Sequence, residues 1–146
     1  MIKVRYFWAA ALLVSVVATL GSLSLSGIGP IGWRGFGYFP CELCWYQRIL
    51  MYALPLVIGM GMWRRVKDLA FFVLPLSILG LLVASYHILI QARPDLEPGQ
   101  CFVGSCTASE TLFGGLVSIP QLSFIAFLLI TLFAVGAYAL GKRSTS

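Results

Sequence analysis

Charge is scarce in this chain. Only 10% of its 146 residues are charged, acidic side chains number five, and histidine occurs once. With 60% hydrophobic residues and a mean hydropathy of +0.93, it carries more apolar surface than a domain of this size can bury in its own core. A soluble globular domain is thereby excluded, and the surplus must face lipid. Strict apolar–polar alternation is lacking as well. A lone strand in lipid would leave its backbone polar groups unpaired, so membrane strands are excluded too. No internal repeat is evident.

What is present is four continuous apolar runs, at 6–25, 44–62, 69–91 and 119–140. Each is close to the ~20 helical residues that cross ~30 Å of hydrocarbon. They predict an all-α membrane protein, a single four-helix transmembrane bundle. The first run follows Lys3 and Arg5, as in a signal peptide, but it is as long as a full span and no Ala-x-Ala cleavage site follows, so it reads as the first helix.

The basic residues set an orientation. Lys3 and Arg5, then Arg64, Arg65 and Lys67, then Lys142 and Arg143 all fall on one side of a four-pass chain, while Glu42, Asp95, Glu97 and Glu110 fall on the other. The positive-inside rule puts the first side, and both termini, in the cytoplasm. The net charge of +5 then belongs to membrane edges facing anionic lipid, and a nucleic-acid partner is not needed to explain it. The outer segments become 26–43 and 92–118, the first rich in glycine and aromatics, the second broken by Pro94, Pro98 and Gly99.

All four cysteines lie in or at the edge of these outer segments, where disulfides persist. No cysteine lies on the cytoplasmic side, which argues against a carrier exporting reducing equivalents from within. Cys41 and Cys44 form a Cys-x-x-Cys pair where the second helix opens, behind Pro40. The helix dipole and free N–H groups favour a thiolate there, and the i to i+3 spacing lets the sulfurs meet. Arg48 follows Cys44 by one helical turn. It can snorkel or pair with Glu42, or it can stabilise the Cys44 thiolate and hydrogen-bond a polar head group near the membrane surface. His87, roughly 9 Å inside the outer end of the third run, lies at a depth similar to that of Arg48. It is either a packed core histidine or a ligand and proton relay.

Cys101 and Cys106 close a short loop with Gly104 available for the turn, either as an exposed redox disulfide or as a staple across a long segment. Taken together, the two pairs suggest a relay: a partner dithiol reduces the exposed disulfide, exchange reduces the membrane-edge pair, and a lipid-soluble acceptor takes two electrons. About 30 mV of two-electron driving force is worth ~1.4 kcal/mol, so an acceptor well above dithiol potentials sets the direction.

The segment Pro40-Cys41-Glu42-Leu43-Cys44-Trp45-Tyr46-Gln47-Arg48 resembles the signature of the disulfide bond formation protein B (DsbB-like) family, and especially its compact form in bacilli (BdbC-like). The resemblance extends over nearly the whole chain, through the four spans, Arg48, His87 and the second cysteine pair. It implies an enzyme of the bacterial inner membrane that reoxidises a DsbA-like thioredoxin-fold partner and passes the electrons to a quinone, ubiquinone or menaquinone. It also implies attack by the partner at Cys101, exchange of Cys106 with Cys41, and Cys44 facing the quinone with Arg48 and His87 near its carbonyls. Only four residues separate Cys101 from Cys106, far fewer than in the better-known form, which leaves their order of use open.

Two rival classes remain. A tetrahedral zinc site with four cysteine ligands would use both pairs, but the Cys101 to Cys106 spacing is wider than usual and the compartment is oxidising, so no metal is assigned. A structural membrane protein with two loop disulfides would tolerate loss of Cys44 and Arg48. Other features read as structural. Pro55, Pro75 and Pro120 kink or start helices. Met51, Met60 and Met62 face lipid or fill the core. Gly21, Gly59, Gly61, Gly80 and Gly136 allow close helix packing. The stretch 111–117 reads as a short interfacial piece or plain loop.

Overall fold

The computed structural model describes residues 2–25, 41–96, 111–112 and 117–143. Four helices make up nearly all of it: α1 (Ile2–Leu25), α2 (Glu42–Trp63), α3 (Leu69–Ala92) and α4 (Ile119–Arg143). All four are long and apolar enough to cross a membrane, as the four runs predict. The helices overrun those runs because the flanking turns complete their hydrogen bonding; thus Cys41, Glu42 and Leu43, expected at the end of an outer segment, cap and open α2. One 3-10 turn, Pro94–Leu96, follows α3.

Each helix packs on its sequence neighbours, and α4 returns to α1, closing a four-membered ring. Phe7 near the start of α1 meets Phe133 in the second half of α4, ring centroids 6.2 Å apart. The two chain ends therefore share one end of the bundle. The turn between α2 and α3 sits at that end too, so Arg5, Arg64, Arg65, Lys67 and Lys142 gather there and the Cys41–Cys44 pair lies opposite.

The interior is apolar, built on Leu54, Ile58, Val73, Ala84, Phe127, Ile130 and Ala134. Large side chains such as Leu13, Leu56, Trp63, Phe71 and Leu132 point outward, as lipid requires. Ser77 and Thr131 satisfy their hydroxyls on carbonyls of their own helices, at Leu74 and Phe127.

Small residues set the spacing at some positions only. A Cβ on Gly80 would overlap the Phe127 ring, one on Gly61 the Leu69 side chain, and one on Gly136 the Phe7 ring. Gly21 has open space around it, and Gly59 has only ordinary contact with Leu12, so the close packing expected of these two is absent. Met51 is buried whereas Met60 faces outward. Pro55 and Pro75 lie inside α2 and α3 without ending them, and Pro120 takes the second position of α4, where its missing N–H costs little.

Helix α2 ends in a Schellman arrangement. Val66 N–H donates to the Gly61 carbonyl at 2.9 Å and Arg65 N–H to the Met62 carbonyl at 3.3 Å. The left-handed position that closes this motif is filled by Arg65, φ 54°, rather than by the usual glycine. At the other end, the stretch expected to be an interfacial piece or loop forms a two-rung antiparallel pair, β1 (Thr111–Leu112) with β2 (Val117–Ser118). It leads directly into α4.

Candidate functional site

The site is built from the start of α2 and the last third of α3. Cys41 is the N-cap of α2, with extended backbone geometry (φ −68°, ψ 169°), and its sulfur accepts from the Cys44 backbone N–H at 3.4 Å. The position normally belongs to serine or aspartate, whose oxygens satisfy free N–H groups of the first turn. A sulfur doing the same work is favoured as thiolate by those N–H groups and by the positive end of the helix.

One turn on, the Cys44 sulfur lies 2.8 Å from that of Cys41, as the i to i+3 spacing leads one to expect. Small side-chain rotations connect this separation to a disulfide bond of ~2.05 Å. The Cys44 hydrogen bond holds the Cys41 thiol well below the usual thiol range. His87 and the Cys44 N–H act in the same direction, and burial opposes them. Cys41 is buried and Cys44 is partly open.

His87 stands on the face of α3 that turns into the bundle, in register with Val73, Ser77, Gly80 and Ala84, and it is 2% exposed. Its Nε2 is 3.7 Å from the Cys41 sulfur, and its Nδ1 is 2.9 Å from the amide of Gln47. Both ring nitrogens are therefore engaged inside the protein. The Gln47 amide can serve either tautomer. With its NH2 donating to Nδ1, the proton sits on Nε2 and points to sulfur; with its oxygen accepting from Nδ1–H, the Nε2 lone pair faces the cysteines.

Gln47 is the residue that reading the sequence did not single out. It is 4% exposed, and it occupies the inner stripe of α2 with Met51, Leu54, Ile58 and Gly61. That stripe was the available signal: an amide in phase with the buried aliphatics has to find a polar partner inside.

Arg48 is partly buried one turn beyond Cys44 on α2. Its guanidinium lies 5.9 Å from the Trp45 ring centroid, a cation–π contact, and among the described residues it makes no ion pair with Glu42. Trp45, Tyr46 and Ile49 beside it are exposed toward lipid. His87 thus lies inside the bundle against Cys41, while Arg48, expected to converge with it on one site, is partly buried beside the exposed Trp45 ring. Cys101 and Cys106 lie outside the described residues.

The family model for "Disulfide bond formation protein DsbB" matches residues 4–137. A relative from Bacillus anthracis, "Probable disulfide formation protein C 2", is 46% identical over 92 residues, 62% of this chain and 66% of that one. Its namesake from Bacillus cereus is 41% identical over 127 residues, covering 86% of each chain. "Disulfide bond formation protein C" of Bacillus subtilis is 37% identical over 131 residues, 87% of this chain and 88% of that one. No solved structure matches significantly.

Proposed function

Because this chain belongs to the DsbB family of disulfide bond formation proteins, we propose that its four-helix membrane bundle reoxidises an extracytoplasmic thioredoxin-fold dithiol protein of the DsbA type and delivers the electrons to ubiquinone or menaquinone. The observation that carries this reading is the dithiol itself: two sulfurs 2.8 Å apart at a helix N-terminus, one of them against buried His87 and the other partly open. Both termini and the basic end of the bundle face the cytoplasm, by the positive-inside rule, and the cysteine end faces outward.

The residues present at that end suit a quinone head group. Cys44 is partly open, and Arg48 follows it by four residues with aromatic Trp45 and Tyr46 toward lipid, so a charged donor and flat apolar surface flank the open thiol. Cys44 and Arg48 would hold the head group there. When bound, a quinone supplies a two-electron, two-proton acceptor. His87, turned inward with both nitrogens engaged, is assigned to Cys41 and away from the quinone carbonyls.

The chain's own steps follow. The partner's thiolate attacks the Cys101–Cys106 disulfide, and the partner leaves oxidised with that pair reduced. A Cys106 thiolate then attacks Cys41 of the Cys41–Cys44 disulfide, releasing Cys44 as thiolate, and the Cys101 thiolate attacks Cys106 in that mixed disulfide, re-forming Cys101–Cys106 and expelling Cys41 as thiolate. The Cys41 thiolate leaves readily because the Cys44 N–H and His87 stabilise it, while Gln47 keeps the imidazole aimed.

Purified protein in lipid nanodiscs, given a reduced DsbA-type protein and a short-tailed quinone, should reduce one quinone per dithiol oxidised. An intact Cys44→Ala variant turning over at the wild-type rate would leave only a structural role for the pair. Labelling of the reduced protein by a membrane-impermeant maleimide in intact cells, reaching Cys44 or Cys101 from outside, tests the orientation.

A further inference from the structure

Two sulfurs and one imidazole nitrogen converge where the redox pair sits, all three atoms within 4.8 Å of one another. We propose that in the reduced protein Cys41, Cys44 and His87 form a binding site for one thiophilic cation of the zinc class, which ties up the two sulfurs that the disulfide needs. The site is a property of the reduced chain by itself; only the consequence for turnover rests on the function proposed above.

Four observations support the cation. First, the donor set is two thiols and an imidazole, with no carboxylate in the group; this selects zinc, cadmium or copper(I) over magnesium or calcium.

Second, the distances are near those required. In a tetrahedral zinc site with Zn–S near 2.3 Å and Zn–N near 2.0 Å, paired sulfurs stand about 3.8 Å apart and sulfur to nitrogen about 3.5 Å. Cys41 sulfur to His87 Nε2 is already 3.7 Å. The sulfurs, 2.8 Å apart, have to open by about 1 Å, which rotation of the partly open Cys44 side chain supplies.

Third, the outer support exists. A metal-bound histidine needs a partner for its other nitrogen; the Gln47 amide nitrogen stands 2.9 Å from Nδ1, and a half-turn of that amide brings its oxygen there to accept the Nδ1 proton.

Fourth, the charge balances. Two thiolates and a divalent cation make a neutral unit, which suits a place where Cys41 and His87 are 6% and 2% exposed.

Binding moves no electrons. Two thiol protons are released, two S–M bonds and one N–M bond form, and water or an outside ligand takes the fourth position. Oxidation to the disulfide removes two electrons from the sulfurs and leaves no thiolate to bind, so metal and disulfide exclude each other. A thiophilic cation reaching the outer face would hold the reduced centre out of its cycle.

The test uses full-length protein carrying Cys101→Ala and Cys106→Ala, reduced without oxygen and titrated with zinc against a chromophoric chelator, and with cobalt(II) as a spectroscopic stand-in. The expected result is one metal per chain, with thiolate-to-cobalt charge-transfer bands and the strong visible bands of a tetrahedral ion. The oxidised form of the same chain should bind none. Gln47→Ala, which keeps all three ligands, should weaken binding by about tenfold or more, and His87→Ala by a larger factor. Zinc binding to the oxidised form, or unchanged affinity in His87→Ala, would overturn the proposal. So would affinity no better than that of a free dithiol. Loss of quinone-coupled turnover in the wild-type protein would leave this titration unaffected, so the two readings fail separately.

Discussion

At the basic end of the bundle the inner faces carry glycine against bulk: Gly136 under Phe7, Gly61 under Leu69. At the cysteine end the corresponding stripes of α2 and α3 carry Gln47 and His87, hydrogen-bonded to each other and, through His87, to Cys41. The first arrangement gains only packing, because lipid is as apolar as the side chains it replaces and close approach is what remains to hold helices together. The second gives up some of that packing for a polar pair. A buried amide and imidazole are tolerable only if each satisfies the other, and once satisfied they hold a reactive sulfur in one orientation. The same ring of helices thus has a rigid end and a chemical end.

That contrast can be broken most sharply at the sulfurs. Cys44→Ala should reduce quinone-coupled oxidation of the partner to background while leaving the unfolding midpoint in SDS nearly unchanged. At the rigid side the effects should reverse. Gly136→Leu, forced against Phe7, should destabilise the bundle by about 1–3 kcal/mol, read as a lower SDS midpoint. Its turnover per folded molecule should persist.

Two changes sharpen the division within the chemical end. Gln47→Ala leaves Nδ1 of a buried ring without its partner, about 1–3 kcal/mol. It should slow exchange between the two cysteine pairs roughly tenfold, as ~1.4 kcal/mol in a barrier implies. Arg48→Ala should instead raise the quinone KM several-fold and leave the partner's reaction with the oxidised protein, measured without quinone, at its normal rate. Equal effects of both substitutions on both readouts would merge the inner and lipid-side roles.

The smallest effect belongs to the turn at the basic end. Arg65 holds a left-handed conformation that costs a non-glycine residue ~1 kcal/mol or more. Arg65→Gly relieves it but adds freedom to the unfolded chain, so a net gain of about 0.5 kcal/mol in the SDS midpoint is expected.

Much of this was readable in the chain. Four apolar runs of span length fixed four helices, because lipid leaves the backbone no other way to satisfy its N–H and C=O groups across those lengths. The Cys-x-x-Cys spacing put both sulfurs on one helical turn. Glycines were harder: Gly21 and Gly80 look alike in sequence, yet only Gly80 lies under an aromatic ring, since which face of a helix meets its neighbour depends on rotation about its axis. The partners of His87 were harder still. Its depth matched that of Arg48, but depth along the bundle does not say which side of α2 the imidazole reaches.

The sequence by itself determined the number of helices, their membrane character and the sulfur pair at the head of α2, all of which follow from local hydropathy and from spacing within one turn. Tertiary packing alone decided that His87, 46 residues from Cys41, turns inward to that sulfur, and that Gln47 holds the ring there. The reason is physical: a contact between two helices depends on their relative rotation and register, which the whole closed ring of four sets together and no single segment encodes.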